Sequence, residues 1–137
     1  MSSRIVDVFF YGLFMDQELL RDKGLTPRSA DIASVDGFAL RIGQRAALVP
    51  VPGGRVHGVV VSLTLAEVDR LYSEPSVRAY QPQAVLAHLA TGGVIAALCY
   101  NLSQPPLPSE GNPEYASKLR AVAEKVGLPA NYVSSIR

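Results

Sequence analysis

Residues 83–100 read QAVLAHLATGGVIAALCY. Two apolar runs, Gln83 to Ala90 and Val94 to Tyr100, are separated only by Thr91-Gly92-Gly93. Glycines supply the positive φ angles that tight turns need, so this stretch predicts two strands folded back on each other. A hairpin is antiparallel by construction. It argues against a sheet built only from strand–helix–strand units.

Upstream, Ala47 to Val51 and Arg55 to Leu63 flank Pro52-Gly53-Gly54, which gives a second hairpin signal of the same kind. Between the two hairpins, Thr64-Leu65-Ala66-Glu67 has capping-box spacing and opens a helix of about two turns that runs to Tyr72. Ile32 to Ile42 reads as a strand interrupted at Gly37, where a bulge or a close approach is expected. Ile5 to Phe10 is a buried strand ended by Tyr11-Gly12. Asp16 then N-caps a short helix to Asp22, closed by Gly24 and Pro27. Downstream, the proline-rich stretch from Gln104 to Gly111 is a surface loop. Asn112 and Pro113 start a helix whose apolar face carries Tyr115, Leu119, Val122, Ala123 and Val126, and Gly127 stops it. Leu128 to Ile136 adds a last short turn of helix. About six strands and three or four helices in mixed order give an α+β domain, with a small twisted sheet and helices at its rim. No repeat, low-complexity tract or domain boundary interrupts residues 1–137.

Composition narrows the function. Thirteen basic and twelve acidic residues are mixed along the chain without a basic run, which excludes broad phosphate-backbone binding; no nucleic acid partner is expected. The N-terminal apolar stretch is too short for a signal peptide or a membrane span, so a cytoplasmic chain without a membrane partner is expected. The single cysteine, Cys99, lies in an apolar run and reads as a buried, inert thiol. His57 and His88 sit inside strands with no clustered Cys or Asp, so no metal site is expected. Asn101-Leu102-Ser103 matches a glycosylation pattern that has no secretion route to serve it. Dinucleotide, Walker, zinc-protease and nucleophile-elbow motifs are all missing.

Several segments, in order, carry a family resemblance. They are Val8-Phe9-Phe10-Tyr11-Gly12, Gly37 to Ile42, Ala46 to Pro50, Arg55 to Val60, Glu74 with Tyr80 after it, and Asn112 to Tyr115 through Gly127 to Tyr132. In this order they resemble the γ-glutamylcyclotransferases and their AIG2-like relatives. The resemblance implies a small mixed, partly closed β-barrel with flanking helices. It also implies a cofactor-free reaction on a small-molecule γ-glutamyl substrate, in which the α-amine attacks its own γ-carbonyl, 5-oxoproline closes and an amine or peptide leaves.

The same resemblance assigns the residues. Glu74 is the candidate catalytic acid–base, and Tyr11, Gly12, Leu13 and Phe14 form the substrate-binding turn through backbone N–H groups. Tyr80 and Tyr115 are candidate lining residues; both read equally as core rings with a wet tip, and for Tyr115, on a helix's apolar stripe, the core reading is favoured. A free glutamate is a weak base. Its neighbours Pro75, Val77 and Tyr72 suggest a partly apolar setting that would suit it to the work. Glu67 is better read as a capping residue than as a second acid. Leu13 stands where the family usually carries a small polar residue, and Ser73 and Pro75 flank Glu74 in place of its usual neighbours. These departures keep a second reading open, a binding or interaction module that retains the fold without turnover.

Overall fold

The computed structural model describes residues 4–137. Five strands form one sheet: β1 (Ile5–Phe10), β2 (Ala30–Ile42), β3 (Ala46–Thr64), β4 (Tyr80–Leu89) and β5 (Val94–Leu102). Their order is β1-β3-β2-β4-β5, closed into a barrel by a parallel contact between β5 and β1. Closure rests on two short seams. β1 meets β5 at Val8↔Leu98, and β2 meets β4 at Ala33↔Leu89 and Ser34↔His88. Four helices flank the sheet: α1 (Gln17–Asp22), α2 (Leu65–Leu71), α3 (Pro113–Val126) and α4 (Ala130–Ser135).

The hairpin of residues 83–100 forms as the sequence predicts, with Gly92 and Gly93 both at positive φ. The hairpin expected at Pro52-Gly53-Gly54 does not. Residues 46–64 are one strand that pairs along its whole length, first Ala46–Pro50 with Phe38–Ile42 and then Arg55–Val61 with Ala30–Asp36. The register shifts between Asp36 and Phe38, so the extra residues around Gly53 sit opposite Gly37, and both glycines have positive φ. The glycines therefore make a bulge that bends a long two-strand ribbon, as barrel closure requires. The actual reversal lies at 43–45.

The helix boundaries follow their caps. Thr64 and Glu67 exchange both capping-box bonds at the start of α2. Asn112 accepts from the Tyr115 amide, Pro113 opens α3, and Gly127 closes it in the left-handed conformation. Alternate strand residues such as Val8, Val35, Val56, Val61 and Cys99 fill the core, and Leu119 and Ala123 of α3 are buried with them. Asn101 is the buried polar residue of this core. Its side chain accepts from the Leu48 amide and donates to the Leu48 carbonyl, each at 2.9 Å, so the glycosylation pattern is spent inside the fold. Among the described residues no helix is long and apolar enough to cross a membrane.

Candidate active site

β1 ends at Phe10, and the chain turns at once through Tyr11 and Gly12 into a single 3₁₀ turn, Leu13–Met15. The Met15 and Asp16 amides close that turn on the Gly12 and Leu13 carbonyls. The N–H groups that open a helical turn have no partner within it, so this backbone presents donors rather than acceptors, and the Leu13 N–H is taken by the Tyr115 phenol oxygen. Tyr11 itself is buried and donates its hydroxyl to the Tyr100 carbonyl at 2.9 Å. Its phenol is thus structural, and what it gives the site is a ring wall and a fixed backbone.

A cavity of about 370 Å³ lies at this end of β1. It is lined by Tyr11, Gly12, Leu13, Phe14, Glu74, Tyr80 and Tyr115, so the structure brings all seven of the sequence candidates together. Five of the six tyrosines border it, the other two being Tyr72 and Tyr100. Tyr72 stacks on Tyr100 with ring centres 4.0 Å apart, and Phe14 meets Tyr72 edge-on at 5.9 Å. Aromatic contacts of this kind contribute about 0.5–1.5 kcal/mol each beyond their buried area. They tie the loop after α2 to the turn after β1. Burial pushes the Tyr72 and Tyr80 phenols up, so both remain neutral donors at ordinary pH. Tyr80 uses its hydroxyl on the Ala46 carbonyl. The Tyr115 phenol is also pushed up by burial, against the pull of the Leu13 N–H, and its oxygen lies where a Cβ on Gly12 would come within 2.9 Å. Tyr115 is therefore a prop under the turn as well as a lining ring.

Glu74 sits in the turn-rich loop between α2 and β4, and its carbonyl accepts from the Val77 and Arg78 amides. The apolar setting expected for its carboxylate is not what the fold supplies. The side chain keeps 37% of its exposure, and both oxygens are held by the Lys23 ammonium, at 2.9 and 3.1 Å. Lys23 keeps 28% of its own exposure and also lies 5.9 Å from the centre of the Phe14 ring. Ion pairs this open to water contribute only about 0.2–1 kcal/mol. Helix chemistry fixes Lys23 there. It is the C-cap residue of α1, one position past Asp22, and is followed by Gly24 at φ +86. The Gly24 and Leu25 amides bond back to the Arg21 and Leu20 carbonyls, a Schellman closure that sets the direction in which Lys23 leaves the helix.

Lys23 and a second lining cation, Arg45 of the β2–β3 turn, were not singled out from the sequence. A lysine at a helix end and an arginine in a turn are ordinary surface features, and the 51-residue separation of Lys23 from Glu74 carries no local signal. The other polar candidates lie elsewhere. Cys99 is buried and its thiol is pushed up to about 12 by that burial. His57 rests edge-on against Tyr132, and His88 faces Asp36 at 3.6 Å. Among the described residues no His, Cys, Asp and Glu cluster could hold a metal ion.

Comparison with solved structures gives a γ-glutamyl cyclotransferase at TM-score 0.80 and 21% identity, covering 98% of this chain and 89% of that one. An uncharacterised Homo sapiens protein matches equally, at TM-score 0.80 and 22% identity over the same shares. YkqA from Bacillus subtilis follows at 0.77 and 20%, over 95% of this chain and 52% of its own. At these identities the likeness establishes the fold. No curated protein sequence matches the chain. A family model does match, that of the γ-glutamyl cyclotransferase, AIG2-like family, and it runs over residues 8–119, from the middle of β1 through the Tyr-Gly turn and Glu74 into α3. On that match the chain belongs to the γ-glutamyl cyclotransferase, AIG2-like family.

Proposed function

We propose that the chain is an enzyme that releases 5-oxoproline and a free amine or peptide from a small γ-glutamyl compound. The observation that carries this reading is the composition of one cavity wall. Among the described residues lining the cavity, Glu74 is the one carboxylate, and it shares the space with the backbone of the turn that follows β1.

The chemistry asks little more. Glu74 takes a proton from the substrate α-ammonium, and the freed nitrogen attacks the γ-carbonyl carbon. The carbonyl oxygen carries the developing negative charge toward the turn after β1, where Phe14 supplies the backbone donor while the Leu13 N–H stays on the Tyr115 phenol oxygen. The γ-amide C–N bond then breaks as Glu74 returns its proton to the leaving nitrogen, and the ring nitrogen sheds its second proton, which the released amine takes up to leave as an ammonium. No water is consumed. Both reacting groups belong to one molecule, so holding a folded conformer supplies much of the rate, up to about 7–11 kcal/mol in well-oriented cases. The aromatic walls from Phe10 through Tyr72 to Tyr100 are suited to that confinement.

Incubation with a panel of γ-glutamyl amino acids and amines, read by 5-oxoproline release, tests the proposal. Wild type is expected to turn over at least one member, and Glu74→Gln to bind it without turnover. A wild-type protein that binds members of the panel and releases no 5-oxoproline moves the assignment to a binding module, the reading that Leu13 in the turn favours.

A further inference from the structure

The Lys23–Glu74 pair has a use beyond anchoring a loop. Resting on the reading above, we infer that Lys23 is the residue that binds the substrate α-carboxylate, by exchanging Glu74 for it when the substrate enters.

The argument starts from the charges of the substrate. A γ-glutamyl compound carries its ammonium and its carboxylate on one carbon. A site for that head group needs an anion and a cation that are themselves neighbours, and Glu74 and Lys23 are in direct contact. With the cavity empty each satisfies the other. When the zwitterion enters, its ammonium takes the place of the Lys23 ammonium on Glu74, and its carboxylate takes the place of Glu74 on Lys23. One ion pair within the protein is broken and two are formed with the substrate. Because both side chains remain partly exposed, the resting pair is weak and its opening costs little. The same exchange delivers the α-ammonium to the carboxylate that must deprotonate it, and leaves the Phe14 amide of the turn for the γ-carbonyl oxygen.

Arg45 also lines the cavity, but among the described residues no carboxylate lies within ion-pair distance of it. It borders Tyr80, whose phenol it pulls down against the rise caused by burial and by Tyr115. Arg45 is therefore not adjacent to an anion and does not meet both charges of one α-carbon.

Two small rings separate the possibilities in a binding assay. 5-Oxoproline carries the carboxylate, and 2-pyrrolidinone is the same lactam without it. Calorimetric titration of wild type is expected to show at least tenfold tighter binding of 5-oxoproline. Lys23→Met should erase that preference while leaving 2-pyrrolidinone unchanged, and Lys23→Arg should restore most of it. Glu74→Gln should bind 5-oxoproline several-fold more tightly, because the product has no ammonium and must compete with Glu74 for Lys23. A purely structural lysine moves none of these ratios. The assignment is overturned if Lys23→Met keeps the preference, if Arg45→Met abolishes it, if wild type shows none, or if Glu74→Gln weakens 5-oxoproline binding. Its failure is distinct from failure of the proposed activity. A wild type that releases 5-oxoproline while Lys23→Met keeps the carboxylate preference sinks the lysine alone. Lys23-dependent binding without any release sinks the activity alone.

Discussion

Glu67 and Glu74 are seven residues apart on one helix–loop segment, and the fold treats them in opposite ways. Glu67 is saturated. Its two oxygens take the Thr64 amide at 2.8 Å, the Thr26 amide at 2.7 Å and the Arg28 guanidinium at 2.8 Å. Burial opposes its charge, but these donors outweigh it and hold the carboxyl down to about 2. Glu74 has one side-chain partner, a lysine that water also reaches. An acid whose lone pairs are consumed by backbone amides is part of the frame. One held by a single partly exposed cation remains available to a ligand.

The sharpest way to break this contrast is to neutralise each acid in turn. Glu74→Gln is expected to lower 5-oxoproline release by 10²–10⁴-fold, the usual contribution of a general acid–base, with little change in melting temperature. Glu67→Gln is expected to do the reverse. It should cost about 3 kcal/mol at neutral pH, the linkage value of a carboxyl moved from 4.5 to about 2, while turnover per folded molecule stays unchanged. The sign also sets a pH window. A depressed carboxyl contributes its full stability above about 4.5 and loses it as pH falls toward 2. Acid unfolding of wild type should therefore steepen across that window, and Glu67→Gln should flatten it. If Glu74→Gln unfolds the protein, or Glu67→Gln abolishes turnover, the two acids are not divided as described.

The same segment shows what a sequence can and cannot disclose. The capping role of Glu67 is written in four consecutive residues, and so are the ends of α3, at Asn112-Pro113 and Gly127. Such signals are local and survive any tertiary context. Pro52-Gly53-Gly54 is an equally strong local signal with a different outcome, because its meaning depends on Gly37, a residue on another strand whose register the local pattern does not contain. The seven candidate site residues rest on a family likeness spread over most of the chain, and they converge on one cavity. Lys23 did not, since its contact with Glu74 exists only once α1 and the loop before β4 are packed.

The turn after β1, which lines the same cavity as Glu74, offers a smaller perturbation. Gly12 lies in extended backbone that alanine can adopt, but an added Cβ would meet the Tyr115 hydroxyl at 2.9 Å. Gly12→Ala should cost about 1–3 kcal/mol through this overpacking and displace the turn amides, raising KM and lowering kcat together. Removing the obstructing atom with Tyr115→Phe should recover part of the loss, a coupling that a double-mutant cycle measures. The acid limb of unfolding, which belongs to Glu67, should stay where it is in all three variants. A shift of that limb would mean that the frame and the cavity are mechanically one unit.

The smallest expected effect concerns stability and Lys23. If the Lys23–Glu74 pair were a structural clamp, Lys23→Met would leave a partly buried carboxylate without a partner and cost several kcal/mol. Both side chains keep about a third of their exposure, so water replaces the ammonium when it is removed. The expected loss is therefore under about 1 kcal/mol, a melting shift of only a few degrees that shrinks further in high salt. Removal of Glu67's carboxylate is expected to cost about three times as much in the same measurement. A Lys23→Met loss equal to that of Glu67→Gln would place Glu74 in the frame after all, and its lysine could not be given up to a substrate.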